Sequence, residues 1–276
     1  MKRLLLTIIL GAALTGAFAE GTPTDTTKTD TLKHKGHIKI KLGYGPDGSE
    51  LDINKTRDTT EEEHHHGKRP GFSIGITFSR FDLGLTTLID HGSFTLQPQN
   101  QFLRYRSWKS SNVGFDVFQF GYRFDSSFKI YLSAGFDWTL FRLRDNITIL
   151  PNQPVLTYRQ DNINYSKNRF GSSYLRIPLS FDFRSKEDAN GDTFHFVAGP
   201  IGGFLLNGRV KQISAQNGKQ KFNDNYHFTT FRYGGFVRVG YGSWGIFAKY
   251  YANNMFENSP AQDDLRNFSF GFTLGF

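Results

Sequence analysis

The sequence predicts an all-β protein, an eight-stranded antiparallel up-and-down transmembrane β-barrel of the outer membrane. Three observations predict it. Beyond residue 70, apolar residues alternate with small or polar ones in segment after segment, the period-2 signature of strands with one apolar face. The links between those segments alternate short and long, which is the plan of outer-membrane barrels. The chain also carries 29 Phe, 12 Tyr and 29 Gly in 276 residues, yet its mean hydropathy is −0.45. Aromatic residues alternating with small ones hide a membrane face behind a polar average. Past the first twenty residues no run of 18 or more apolar residues occurs, which excludes helical spans. The absence of Cys excludes disulfides, thiol nucleophiles and Cys-ligated metals.

The chain divides into three stretches. Residues 1–19 read as a secretory signal peptide: Met1-Lys2-Arg3 is a basic start, Leu4 to Leu14 an apolar run, and Ala17-Phe18-Ala19 a small-x-small cleavage site. Residues 20–70 read as a flexible periplasmic segment, rich in Thr, Asp and Lys at its start. Within it His37–Leu42 and Leu51–Ile53 alternate around Pro46-Asp47-Gly48, the pattern of a small hairpin. Glu61-Glu62-Glu63-His64-His65-His66 has the donor types of a metal tract, but contiguous charges of this kind are usually a solvated linker. No metal site or cofactor is assigned. Residues 71–276 form the barrel.

Its strands follow in order. Phe72, Ile74, Ile76 and Phe78 open the first. Val113, Phe115 and Val117 face away from Gly114, Asp116 and Phe118 in the second. The third runs Ile130, Leu132, Ala134, Phe136, Trp138, Leu140, and the fourth Leu175, Ile177, Leu179, Phe181. The fifth, Thr193 to Leu205, is apolar, but Pro200 and its glycines leave its face open and suggest a bulge. Val237 and Val239 mark the sixth, Ile246, Ala248 and Tyr250 the seventh, and Phe268, Phe270, Phe272, Leu274 and Phe276 the eighth. Short links fall near 125–127, 185–192 and 242–244; long ones span about 81–111, 142–172, 206–229 and 253–265. A β-sandwich also alternates, but its second face is wet and charged. Here the second face is Gly, Ser, Thr and a few isolated charges, which suits a narrow packed lumen. All three Trp (Trp108, Trp138, Trp244) are placed at strand ends, where interfacial girdles sit.

Few residues point to chemistry. Asp116, Asp137, Arg176, Arg238 and Lys249 fall on the inward face and form either a polar track or a charge-paired plug. The plug is favoured, because eight strands enclose just enough room for side chains. Asp90-His91 in the first outer loop, with His227 at the start of the sixth strand, is the one general-base candidate, for a surface hydrolase. His195 belongs to the periplasmic end. No Walker, Rossmann, H-E-x-x-H or G-x-S-x-G pattern is present. Arg142, Arg144, Arg159, Lys167, Arg169, Arg209, Lys211, Lys219 and Lys221 make the outer loops basic, suited to outer-membrane lipid such as lipopolysaccharide, or simply to solvent. Scattered basic residues on an exported chain argue against nucleic acid as a partner.

The signal peptide, Tyr174-Leu175-Arg176-Ile177-Pro178-Leu179, the stretch from Gly234 to Tyr251 and the terminal Phe276 together resemble the PorT-like outer-membrane β-barrel family of Bacteroidetes-type bacteria. The resemblance implies an eight-stranded barrel inserted by the barrel-assembly machinery, with Phe276 as the terminal insertion signal. It carries no catalytic residues and associates one named member with protein secretion. The resulting expectation is a non-catalytic outer-membrane barrel, structural, ligand-contacting or secretion-associated, with a protein partner at its loops. A small porin-like transporter and a surface hydrolase are the alternatives.

Overall fold

The computed structural model describes residues 39–43, 70–77, 80–189 and 191–276. The signal peptide, the segment 51–53 and the Glu/His tract lie outside the described residues. The strands are β1 (Lys39–Gly43), β2 (Gly71–Thr77), β3 (Phe81–Asp90), β4 (Ser111–Arg123), β5 (Phe128–Arg142), β6 (Ile147–Ile149) and β7 (Tyr158–Gln160). They continue as β8 (Tyr165–Arg184), β9 (Phe194–Ser214), β10 (Gly218–Asp224), β11 (Phe231–Tyr241), β12 (Trp244–Tyr251) and β13 (Leu265–Leu274).

Eight staves, β2 with β3 as one and then β4, β5, β8, β9, β11, β12 and β13, make a closed eight-stranded antiparallel barrel. Closure is the condition for crossing hydrocarbon, where every backbone N–H and C=O needs an internal partner and no sheet edge survives. The closing seam joins β13 to β3, with Leu265 opposite Asp90 and Leu274 opposite Phe81. From Leu274 the hydrogen-bonded neighbours run round the wall through Phe81, Phe115, Phe136, Leu175, Phe204 and Phe231. All seven are large and apolar and stand on the outer face, so one row of the sheet is a continuous greasy belt.

The first stave differs from expectation. Residues 81–90, assigned above to the first long loop, are a strand. β2 pairs with the inner half of β4 (Ile76 opposite Phe118) and β3 with its outer half (Phe81 opposite Phe115). The break between them is matched on β4 by a bulge between Asp116 and Phe118, where the Asp116 N–H turns to the Arg80 carbonyl at 3.2 Å. The bulge also corrects a face. Phe118 does not share a side with Gly114 and Asp116; it is 44% exposed on the outer surface beyond the slip. β1 pairs in parallel with β2, Lys39 opposite Ser73; the expected hairpin partner of this strand, 51–53, lies outside the described residues.

In β9 the odd residues His195, Val197 and Ile201 face inward up to a register slip near Leu206, after which Val210, Gln212 and Ser214 do. Pro200 stands on the outer face, exposed. β8 and β9 reach 20 and 21 residues, about twice what a tilted bilayer needs, and therefore rise well beyond it. The basic residues assigned to loops thus sit mostly on strands. Trp138 lies in the outer third of β5 and Trp244 begins β12, but Trp108 sits in a 3-10 turn of the first outer loop, 87% exposed.

Candidate functional site

The interior holds two kinds of packing. At the outer end, Phe141, Phe170, Val210 and Leu265 point inward and meet Leu103, Ile147, Ile149, Phe228 and Phe256 from the loops in one apolar cluster. The Phe170 ring stacks on Phe228 with centroids 4.8 Å apart. The long loops are therefore not loose coil: they fold into a cap with its own core, seated in the outer mouth. Burial there pushes the Tyr226 phenol up to about 12.

Beneath the cap lies a network of buried charges. Arg176, fully buried on β8, donates from Nη1 to Asp82 at 2.6 Å and from Nε to Asp116 at 2.8 Å. Gly114, with no Cβ, leaves room for that guanidinium. Arg238 forks onto Asp82 at 2.8 and 3.2 Å, and Thr273 adds a third donor at 2.8 Å. Across the lumen Asp137 takes Lys249 at 2.5 Å, Asn112 at 3.1 Å and Arg232. The Arg232 guanidinium lies between the rings of Tyr174 and Tyr251, 3.6 and 3.9 Å from their centroids. Arg80 approaches Asp116 at 3.7 Å.

Asp116, Asp137, Arg176, Arg238 and Lys249 thus all lie inside, the first three fully buried, in two sets centred on Asp82/Asp116 and on Asp137. Asp82, Arg80 and Arg232 were missed by sequence reasoning, the first two because their segment read as loop or break. Arg232 had a signal: counting back by two from Arg238 puts it on the same inward face.

The other candidates are dispersed. His91, at φ +49, binds Asp90 at 2.8 Å through Nδ1. Asp90 also takes the Gln97 N–H at 2.8 Å and Asn100 at 2.9 Å, so the pair pins the first outer turn. The hydrogen bond to Asp90 raises the His91 pKa above the ordinary histidine value. His227 lies in a turn before β11, not at its start, and its Nε2 meets the Gln153 carbonyl at 2.7 Å. The two histidines therefore have different partners. At the periplasmic end His195 contacts Asp182 at 3.2 Å and Thr193 at 2.8 Å, and its ring lies 4.9 Å from that of Phe276. Phe276 leaves the outward row of β13 because Gly275, at φ +80, turns the chain; its N–H bonds the Ser243 carbonyl. The ring joins an inner apolar cluster with Tyr131, Val197, Ile201, Phe236 and Tyr251.

The model of the family described as outer membrane protein beta-barrel domain matches residues 37–257. The chain belongs to that family. Family membership and the greasy outer belt place the barrel in the outer membrane. Among solved structures it is similar to Ail, the attachment invasion locus protein of Yersinia pestis. The crystal structure of Ail in complex with the heparin analogue sucrose octasulfate matches at 12% identity and a TM-score of 0.32, covering 75% of this chain and 98% of Ail. A second crystal structure of Ail matches at 11% identity and a TM-score of 0.32, covering 75% and 97%. At that level no residue role carries across. No curated protein matches the chain.

Proposed function

We propose that this protein is a non-conducting, non-catalytic outer-membrane barrel that works through its outer surface, as a structural, ligand-contacting or secretion-associated component. The observation that carries this reading is the filled interior: Asp82, Asp116 and Asp137 are neutralised by Arg176, Arg238, Arg232 and Lys249 across the lumen, under an apolar cap. A path for solutes would have to break several buried ion pairs, and removing one partner of such a pair costs about 3–5 kcal/mol. The cavity beside Arg232 and Tyr251 measures about 20 Å³, room for roughly one water. Purified barrel in planar bilayers should show no stable conductance steps; large, long-lived steps would overturn the reading in favour of a porin-like transporter.

The PorT-like grouping rests on Tyr174–Leu179, Gly234–Tyr251 and Phe276 and belongs to the same proposal. So do a cleaved leader over 1–19, a periplasmic segment over 20–70 and the barrel over 71–276. Phe276 is proposed as the signal read by the assembly machinery on the unpaired terminal strand. Its ring is free to be read only before Gly275 tucks it against His195.

A further inference from the structure

Seven basic residues share one outer face of the protruding sheet, and four of them form a ladder. Arg142 on β5 is directly opposite Arg169 on β8, Arg169 opposite Lys211 on β9, and Lys211 opposite Lys221 on β10. Lys167 and Lys219 flank Ile213 one step further out, and Arg209 sits one step further in. Like charges directly opposite in a sheet destabilise it. Among the described residues none of Arg142, Lys167, Arg169, Lys211, Lys219 or Lys221 forms an ion pair with an acid, whereas each lumen cation named above does. Burial and then the charges of Lys219, Lys167, Lys221 and Arg169 hold the Lys211 ammonium below the ordinary lysine range. Arg169 Nε is buried without a hydrogen-bond acceptor. A sheet that stacks four cations without counter-charge is arranged for an anion supplied from outside.

The position of the ladder selects the anion. On β5 the outward residues read Trp138, Leu140, Arg142; on β9 they read Phe204, Leu206 and then, across the slip, Arg209 and Lys211. The cations begin where the lipid-facing residues end, on the same side of the wall. Strand tilt lifts each successive partner by roughly 3 Å, so the row climbs from the edge of the hydrocarbon into the headgroup region. We propose that this face, Arg142, Arg169, Lys211 and Lys221 with Lys167 and Lys219, binds the phosphate groups of a phosphorylated outer-leaflet glycolipid while its acyl chains lie on Leu140 and Leu206. Paired phosphates would convert the like-charge row into charge-assisted hydrogen bonds. The site lies on one side of the barrel and is independent of whether the lumen conducts.

The test uses the full barrel purified in detergent, with bisphosphorylated lipid A, monophosphorylated lipid A and phosphatidylcholine as probes and native mass spectrometry as the readout. The parent should bind the bisphosphorylated form most tightly and phosphatidylcholine weakest. The variant Arg169→Ser/Lys211→Ser/Lys221→Ser should lose about tenfold or more in affinity for it. Arg104→Ser/Lys109→Ser, which removes cations elsewhere on the outer loops, should bind as the parent does. Equal binding by parent and triple variant, or the same loss in the loop control, overturns the proposal. Tighter binding of a soluble sulfated polysaccharide than of either lipid A overturns the assignment to lipid. Should the triple variant lack the heat-modifiable gel mobility of a folded barrel, the single exposed change Lys221→Ser and a salt titration of the parent decide. Affinity must fall in both, and a salt-independent affinity rejects the ladder.

Discussion

Arg176 ties two carboxylates from two other strands, Asp82 and Asp116, to β8. Removing it leaves both buried, with Arg238 and Arg80 as the remaining counter-charges. Arg176→Gln should therefore cost about 3–5 kcal/mol, read as a shift of the urea midpoint in lipid vesicles by Trp fluorescence. An unchanged midpoint would mean that the network is solvated. His91 is the opposite case, a surface group. Its pKa is raised by the Asp90 hydrogen bond. The stability it adds is fully present below the ordinary histidine value of about 6.5 and is lost as pH rises through the raised folded value. NMR titration should show Asp90→Asn returning His91 to the ordinary value; identical titrations in parent and variant would refute the pairing.

At the scale of the element, β5 shows what a strand in this protein must satisfy. Ile130, Leu132, Ala134, Phe136, Trp138 and Leu140 stand outward while Lys129, Tyr131, Ser133, Gly135, Asp137 and Thr139 are buried inside. Leu132, 44% exposed, should cost about 2–4 kcal/mol as Leu132→Arg if it meets lipid near the midplane. Insertion and melting like the parent would show that this face does not touch acyl chains. β5 is also where the sequence was easiest to read, because its alternation runs unbroken. β4 and β9 were harder: a bulged residue reverses every face beyond it, and nothing local in Asp116-Val117-Phe118 marks the slip. β3 is hidden for a related reason, since 81–90 reads as the start of a long link when it pairs with the outer half of β4. The inward position of Asp137 and Arg176 could be read from alternation. Which acid meets which base could not, because pairing across the lumen depends on stagger. The cap was illegible: Ile147, Ile149 and Phe228 look like ordinary loop residues until Phe141 and Phe170 are known to point inward beside them.

For the whole molecule, the barrel divides its surfaces by solvent. Its outer wall is apolar in a belt that follows the hydrogen bonds, its lumen is a core of buried ion pairs, and its outer end is closed by folded loops. The absence of Cys makes this division directly measurable, since single cysteines can be introduced and spin-labelled at each position from 128 to 142 without background. In reconstituted vesicles, labels at even positions from 130 to 140 should be accessible to oxygen and shielded from a water-soluble nickel chelate. Those at odd positions from 129 to 139 should be shielded from both. Nickel access at the odd positions would reveal a water-filled lumen, and the loss of alternation altogether would contradict a lipid-facing barrel.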